Sequence, residues 1–453
     1  AMAEWGRTSP DERAMVCLEL LDRLAKASFT MAHAVMHTTG QSFLMAFQAG
    51  GPHALDRGLE AVAYAYSEQR RLPDPLRWVK PQGSRDPLVI DKRWVVSPRG
   101  VAVTIGVSTF PTWNGYPGIF ASLATGNPVI IKPHPETILP FALFVRIARE
   151  ALADAGHDPD VVQLLVDTPE ALVGKELVTR PEVGIVDYTG GSAFGTWLEE
   201  HAIQAEEYTE KAGVNSVIID SAADLGAVFR NLSVSMTMYS GQLCTTPQNV
   251  FIPETGVRVG GEVVPYDEVV AGLVAAVDGL LGDDARASAI LGAVKGTASI
   301  DRIVEASRAG TVLSASREVA NPEFPDAIVR TPVIVEVEAA SDAYRSELFG
   351  PVIFVVKVPT VGDSIDAARD AARAHGAITW LAYTTDEAVM DRVIDAAVQA
   401  GVSVAFNLTG GLFVNQSAAF SDFHVTGDNP AGNASLTDPA FVVGRFRVVG
   451  VRI

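Results

Sequence analysis

From Val101 onward, short and wholly apolar runs alternate with stretches of helical period, and this alternation constrains the fold more than any other feature of the chain. Val101–Val107, Val129-Ile130-Ile131, Val161–Val166 and Val183–Tyr188 read as strands buried on both faces, and Phe141–Ala155 reads as a helix that Gly156 stops. The same alternation restarts beyond Gly213, with a strand at Ser216–Ile219, a helix around Leu225–Met238, and strands near Val333–Val337 and Val352–Val358. The chain has 453 residues, more than one hydrophobic core usually holds. The pattern therefore predicts an α/β protein of two doubly wound domains, with ligands in a cleft at the carboxyl ends of the strands.

The flanks carry other signals. Ser9-Pro10-Asp11-Glu12 is a helix start with Ser9 as N-cap, and Leu72–Pro87 reads as a Pro-rich connector. Leu88–Ser97 reads as a strand, and the tail Phe441–Ile453, with Arg445, Arg447 and Arg452 alternating with apolar residues, as an exposed edge strand that a second subunit would cover. The chain opens on Ala1-Met2-Ala3-Glu4-Trp5 and reaches a helical pattern at once, which predicts that outer elements precede Ala1 in the natural protein.

Thirty-five basic against 54 acidic residues give a formal net charge of −19, which repels nucleic acid and anionic membranes. No stretch approaches the roughly 20 apolar residues of a membrane span. Two distant cysteines, Cys17 and Cys244, make no disulfide framework, and neither has a metal-type companion at short spacing, so no metal site and a reducing cytoplasm are expected.

Six segments carry possible chemistry. Cys244 lies in Tyr239-Ser240-Gly241-Gln242-Leu243-Cys244-Thr245; a lone cysteine is more often a small buried hydrophobe, as Cys17 on the apolar face of a helix is, but small neighbours leave Cys244 room for a substrate. Glu210 ends what reads as a charged helical stretch with Glu206 and Glu207, and precedes a small-residue turn; there it is placed to deprotonate water. Asn114, in the Pro- and Gly-rich turn Phe110–Pro117 before a helix at Gly118–Gly126, offers an amide N–H to an oxyanion. Lys132 stands at the carboxyl end of a strand, and Gly190, Gly191 and Gly195 mark a strand-to-helix turn suited to a pyrophosphate. Glu347 and Phe349, in Glu347-Leu348-Phe349-Gly350-Pro351, are candidates for holding a nicotinamide ribose and ring.

In this order these segments resemble the motifs of the aldehyde dehydrogenase superfamily, and Cys244 follows Glu210 by 34 residues, similar to the family's spacing. Met36–Gln41, Gly50–His53 and Phe110–Pro117 further resemble its phenylacetic acid degradation (PaaN) branch. The resemblance implies an aldehyde dehydrogenase-like fold with dinucleotide-binding residues 1–79 and 101–212, a catalytic domain at 213–408, and a small β oligomerisation arm and closing strand at 80–100 and 436–453. It implies an NAD(P)-dependent oxidation of an aldehyde to an acid through a Cys244 thiohemiacetal and thioester. The oxyanion would be held by Asn114, the water activated by Glu210, and the cofactor held by Lys132, Gly190, Gly191 and Glu347. A homodimer or homotetramer is expected, and a semialdehyde of aromatic-acid catabolism as the substrate.

Several positions depart from the family pattern. Pro135 stands where many relatives have a glutamate, with Glu136 one place later; the missing carboxylate favours NADP or dual use over NAD. Asn249 replaces a frequent arginine, which leaves the substrate wall open, with Trp113, Tyr239 and Phe420 as its candidate residues. The alternatives are a CoA-acylating dehydrogenase, a non-redox cysteine acyltransferase and a catalytically silent relative. The retained Glu210 and dinucleotide features weigh against these.

Overall fold

The structure, a computed structural model, describes residues 2–73, 75–416, 420, 424 and 426–453. Three sheets set the architecture. A five-stranded parallel sheet runs in the order Val162–Leu164, Val129–Lys132, Val101–Ile105, Val183–Thr189, Glu206–Glu210. A seven-stranded sheet runs Thr311–Ser314, Val333–Glu338, Val352–Val358, Asn249–Pro253, Ser216–Ile219, Thr379–Tyr383, Ser403–Phe406, parallel throughout except at Thr311–Ser314. In both sheets the central strands are buried along their length, apart from Val101 at the start of one, as the continuous apolar runs require. The third sheet joins Leu76–Gln82, Arg85–Pro98 and Phe446–Arg452, antiparallel, with Trp78, Val79, Leu88, Val95 and Val449 all exposed. Among the described residues no helix is long and apolar enough to cross a membrane.

Local capping follows the sequence at the first helix, where Ser9 accepts from the Glu12 N–H at 3.1 Å. Four expectations change. Glu206–Glu210 is a strand, not a helix end: pairing with Val183–Thr189 at the sheet edge outweighs the helix preference of glutamate, and the sheet alternates Glu206 and Tyr208 with Glu207. Phe110–Pro117 is mostly the first half of a helix, Pro111–Ala124, started by Pro111 and able to lie close to its neighbours because Gly115 and Gly118 carry no Cβ; a Cβ on Gly118 would sit 2.3 Å from Asp187. The connector contains the strand Leu76–Gln82, and the register shift between Lys80 and Gln82 is where Pro81 escapes the ladder. Finally, the tail starts with a helical turn, Ala440–Val443, and Arg445 precedes the edge strand and is fully buried. Its guanidinium donates to Asp187 at 2.6 and 2.8 Å and lies 4.2 and 4.3 Å from the ring centres of Tyr208 and Phe441, which pack on each other.

Candidate active site

Ile105, Lys132, Thr189 and Glu210 each end a strand of the five-stranded sheet at the same side, so their side chains reach one cavity of about 890 Å³. Gly190, Gly191, Glu347, Phe349, Asn114 and Cys244 line it too. A second cavity, of about 420 Å³, is lined by Leu44, Met45, Phe110, Trp113, Phe413 and His424, and Cys244 lies on its wall as well. Cys244 thus stands where the two cavities meet.

The turn that carries Cys244 is fixed by buried polar contacts. Tyr239 and Ser240 take positive φ (49° and 53°), a rare pair for residues with side chains. Gly241 follows at φ 68°, where a Cβ would lie 2.4 Å from the Gly350 carbonyl oxygen. The Gln242 amide donates to the carbonyls of Tyr239 and Ala293 and accepts from the Lys295 N–H. The Asn215 amide donates to the carbonyl of Cys244 at 2.6 Å and to that of Thr246 at 3.1 Å, while its oxygen accepts from the N–H groups of Ile378 and Thr379. These hydrogen bonds hold the turn in its uncommon backbone conformation.

Glu210 is buried and faces the thiol. Its Oε2 accepts from Asn114 Nδ2 at 3.1 Å, and its Oε1 lies 3.7 Å from His424 Nε2. His424 Nε2 lies 3.7 Å from Cys244 Sγ, and its ring packs on Trp113 at 4.9 Å. Burial, and then the neighbouring Glu210 carboxylate, push the Cys244 thiol well above its ordinary value, with Arg57 opposing. Glu347, half-buried and accepting a long hydrogen bond from the Gly213 N–H at 3.4 Å, is pushed up to about 7, chiefly by desolvation.

On the cofactor-binding side, the residues fit a dinucleotide. Gly191 is the N-cap of the Ser192–His201 helix, no side chain caps that end, and nothing stands within 4 Å of where its Cβ would be. Lys132 Nζ pairs with Asp167 Oδ1 at 2.7 Å, both nearly buried, and both line the cavity. The NADP expectation assumed no carboxylate beside Lys132; Asp167 supplies one from the loop after Val162–Leu164, where no local motif marks it. Glu136 instead pairs with Lys295 at 3.2 Å.

Three sequence candidates fall outside these cavity walls. Gly195 packs against Lys211 and Tyr188, where a Cβ would come within 2.6 and 3.1 Å, so it serves helix-to-strand contact. Tyr239 is buried behind Phe110, its hydroxyl donating to the Thr39 carbonyl at 2.5 Å. Phe420 is exposed and packs on Tyr64. Trp113 does line the smaller cavity, with the Arg57 guanidinium 3.9 Å over its ring. Asn249 is wholly buried and donates to the Tyr344 carbonyl, supporting the Glu347 segment rather than a substrate wall. His424, Asp167 and Asn215 were missed: each is a single residue whose neighbours in space come from distant segments.

Comparison with known proteins agrees with this geometry. A crystal structure of an NAD-dependent aldehyde dehydrogenase from Burkholderia multivorans superposes with a TM-score of 0.97 at 50% identity, over 100% of this chain and 82% of that one. The 1-pyrroline-5-carboxylate dehydrogenase 2 of Bacillus subtilis is 24% identical over 389 residues, covering 82% of this chain and 69% of the relative. The geranial dehydrogenase of Castellaniella defragrans is 27% identical over 291 residues, 62% of this chain and 57% of the relative. The model of the aldehyde dehydrogenase family matches residues 1–417, and with the fold and the six motifs in one cleft this places the chain in that family of NAD(P)-dependent oxidoreductases.

Proposed function

We propose that this chain oxidises an apolar or aromatic aldehyde to its carboxylic acid, with Cys244 as nucleophile. The observation that carries this reading is the position of Cys244 on the walls of both cavities, one suited to a dinucleotide and one to an aldehyde. Cys244 Sγ bonds to the aldehyde carbon, its proton passing to the facing Glu210 carboxylate. The second Nδ2 proton of Asn114 and the Cys244 backbone N–H hold the oxyanion of the thiohemiacetal. A nicotinamide held in the larger cavity would supply the acceptor for the hydride that leaves this carbon. Glu210, after releasing that proton to solvent, draws one from a water that attacks the thioester and passes it to the Cys244 sulfur as the acid leaves. Lys132, the Gly190-Gly191 turn and Glu347 hold the cofactor.

The walls formed by Leu44, Met45, Phe110, Trp113 and Phe413 favour an aromatic or extended apolar substrate, such as an aldehyde or semialdehyde from phenylacetate or related aromatic-acid breakdown. For the cofactor, the Asp167 carboxylate beside Lys132 favours ribose hydroxyls and repels a 2′-phosphate, so NAD is the better fit. The exposed three-stranded sheet, with apolar residues on its surface, favours a homodimer or homotetramer built on it, and the two free cysteines a reducing cytoplasm.

The test is formation of reduced cofactor with a panel of aliphatic, aromatic and CoA-linked aldehydes, using NAD and NADP at matched concentrations. Cys244→Ala is expected to abolish oxidation and keep cofactor binding, and Glu210→Gln to trap a thioester detectable by mass spectrometry. Full turnover by either variant overturns the assignment.

A further inference from the structure

Cys244 Sγ, Glu210 Oε1 and His424 Nε2 arrive from three distant segments and lie within 4.8 Å of one another, with the sulfur-to-nitrogen and nitrogen-to-oxygen separations both 3.7 Å. A tetrahedral Zn²⁺, with bonds of about 2.3 Å to sulfur and about 2.0 Å to nitrogen or oxygen, spaces its donors roughly 3.3–3.6 Å apart. The two separations that involve His424 therefore need to contract only slightly, and the sulfur and the carboxylate oxygen are within 4.8 Å. A second observation points the same way: Glu210 is only 3% exposed, and its Oε1, aimed into the trio, has no hydrogen-bond partner among the described residues, although Oε2 is held by Asn114. A thiolate, an imidazole and a carboxylate form a donor set that suits Zn²⁺ and is poor for Mg²⁺ or Ca²⁺. The two cavities leave a fourth position open to water.

We infer that the active site takes up one Zn²⁺ on Cys244, Glu210 and His424, and that the bound ion reversibly silences the enzyme. Uptake breaks the Cys244 S–H bond, releases the proton to solvent and forms a Zn–S bond; no oxidant or reductant takes part. The ion occupies the sulfur lone pair that would attack the aldehyde and the carboxylate oxygen that would receive a proton. His424 enters this site as a metal ligand and is given no step in aldehyde oxidation. Because binding competes with a proton on the thiol, it tightens as pH rises. Only the silencing rests on the proposed aldehyde oxidation; the binding does not.

The experiment is a titration of the full chain, free of chelator and cofactor, with Zn²⁺ against a chromophoric chelator, in parallel with initial rates of aldehyde oxidation. One ion per chain is expected, with millimolar Mg²⁺ unable to displace it and the rate lost in proportion to occupancy and restored by EDTA. Cys244→Ala should abolish uptake, and His424→Asn should weaken it by about tenfold or more. Co²⁺ bound to the unaltered chain should give a thiolate-to-metal absorption band, which keeps the proposal testable if a variant misfolds. Uptake unchanged in His424→Asn, or no thiolate band with Co²⁺, overturns it. An active enzyme indifferent to Zn²⁺ defeats this inference alone, and a chain that binds Zn²⁺ but oxidises no aldehyde defeats the proposed function alone.

Discussion

Two buried ion pairs sit on the five-stranded sheet and differ in what surrounds them. Arg445 and Asp187 are closed in: the guanidinium also donates to Ser122 Oγ and the Phe441 carbonyl and packs against a pair of touching rings, Tyr208 and Phe441. Lys132 and Asp167 are as close, at 2.7 Å, but border a cavity of about 890 Å³. Burying charge costs several kcal/mol per ion, so each pair persists for a reason beyond the attraction between its members. The first joins the tail to the sheet and is complete within the chain. The second has donors and acceptors to spare and faces the space where a ribose would lie.

The largest expected effect comes from breaking the closed pair. Asp187→Asn leaves Arg445 charged and uncompensated, and should cost about 3–5 kcal/mol in denaturant unfolding. It should leave the ratio of NAD to NADP activity alone; a change in that ratio would erase the distinction between the pairs. Asp167→Ser should do the reverse, raising the NADP-to-NAD ratio of kcat/KM on the order of tenfold by removing the charge that repels a 2′-phosphate. An unchanged ratio would return the cofactor preference to the expectation drawn from Pro135.

Glu347 sharpens the comparison as a half-buried carboxylate that makes no ion pair among the described residues. Burial holds it protonated up to about 7, so its folded form keeps a proton that the unfolded chain gives up in the usual carboxylate range. Across that window stability falls as pH rises, and Glu347→Gln should gain in melting temperature relative to the unaltered chain as pH rises from the usual carboxylate range to about 7, with a constant gap above it. A gap constant across that window as well would mean that the carboxyl titrates normally. The smallest effect belongs to a pair at the surface: Arg77→Ala, which removes the solvent-facing contact to Asp91 on the arm, should leave the melting temperature unchanged within error.

The fold class was legible because strands buried on both faces must be apolar throughout, and that pattern survives without knowledge of any contact. Cys244, Glu210, Asn114, Lys132 and Glu347 were legible as candidates because each lies in a short run whose composition is itself unusual, and all five reach the larger cavity. Asp167 and His424 have no such run. Their neighbours are set by which strand lies beside which, a property that no window of sequence contains. The same limit explains the misplaced Tyr239 and Phe420: aromatic type suggests a pocket wall, but φ 49° turns Tyr239 inward, and Phe420 finds its partner on Tyr64. It explains Glu206–Glu210 as well, where a sheet edge made a strand of a sequence that favours a helix on its own.

Asn215 has a bearing on how the protein is made. Its one amide joins the carbonyls of Cys244 and Thr246 to the N–H groups of Ile378 and Thr379, and Lys211, beside Glu210, donates its N–H to the carbonyl of Ala431 at 2.6 Å. During synthesis, the thiol emerges from the ribosome more than a hundred residues before the groups that set its position. A nascent chain therefore carries an unset nucleophile until its later third is translated, and the order of translation delays reactivity until the cleft that confines it has closed.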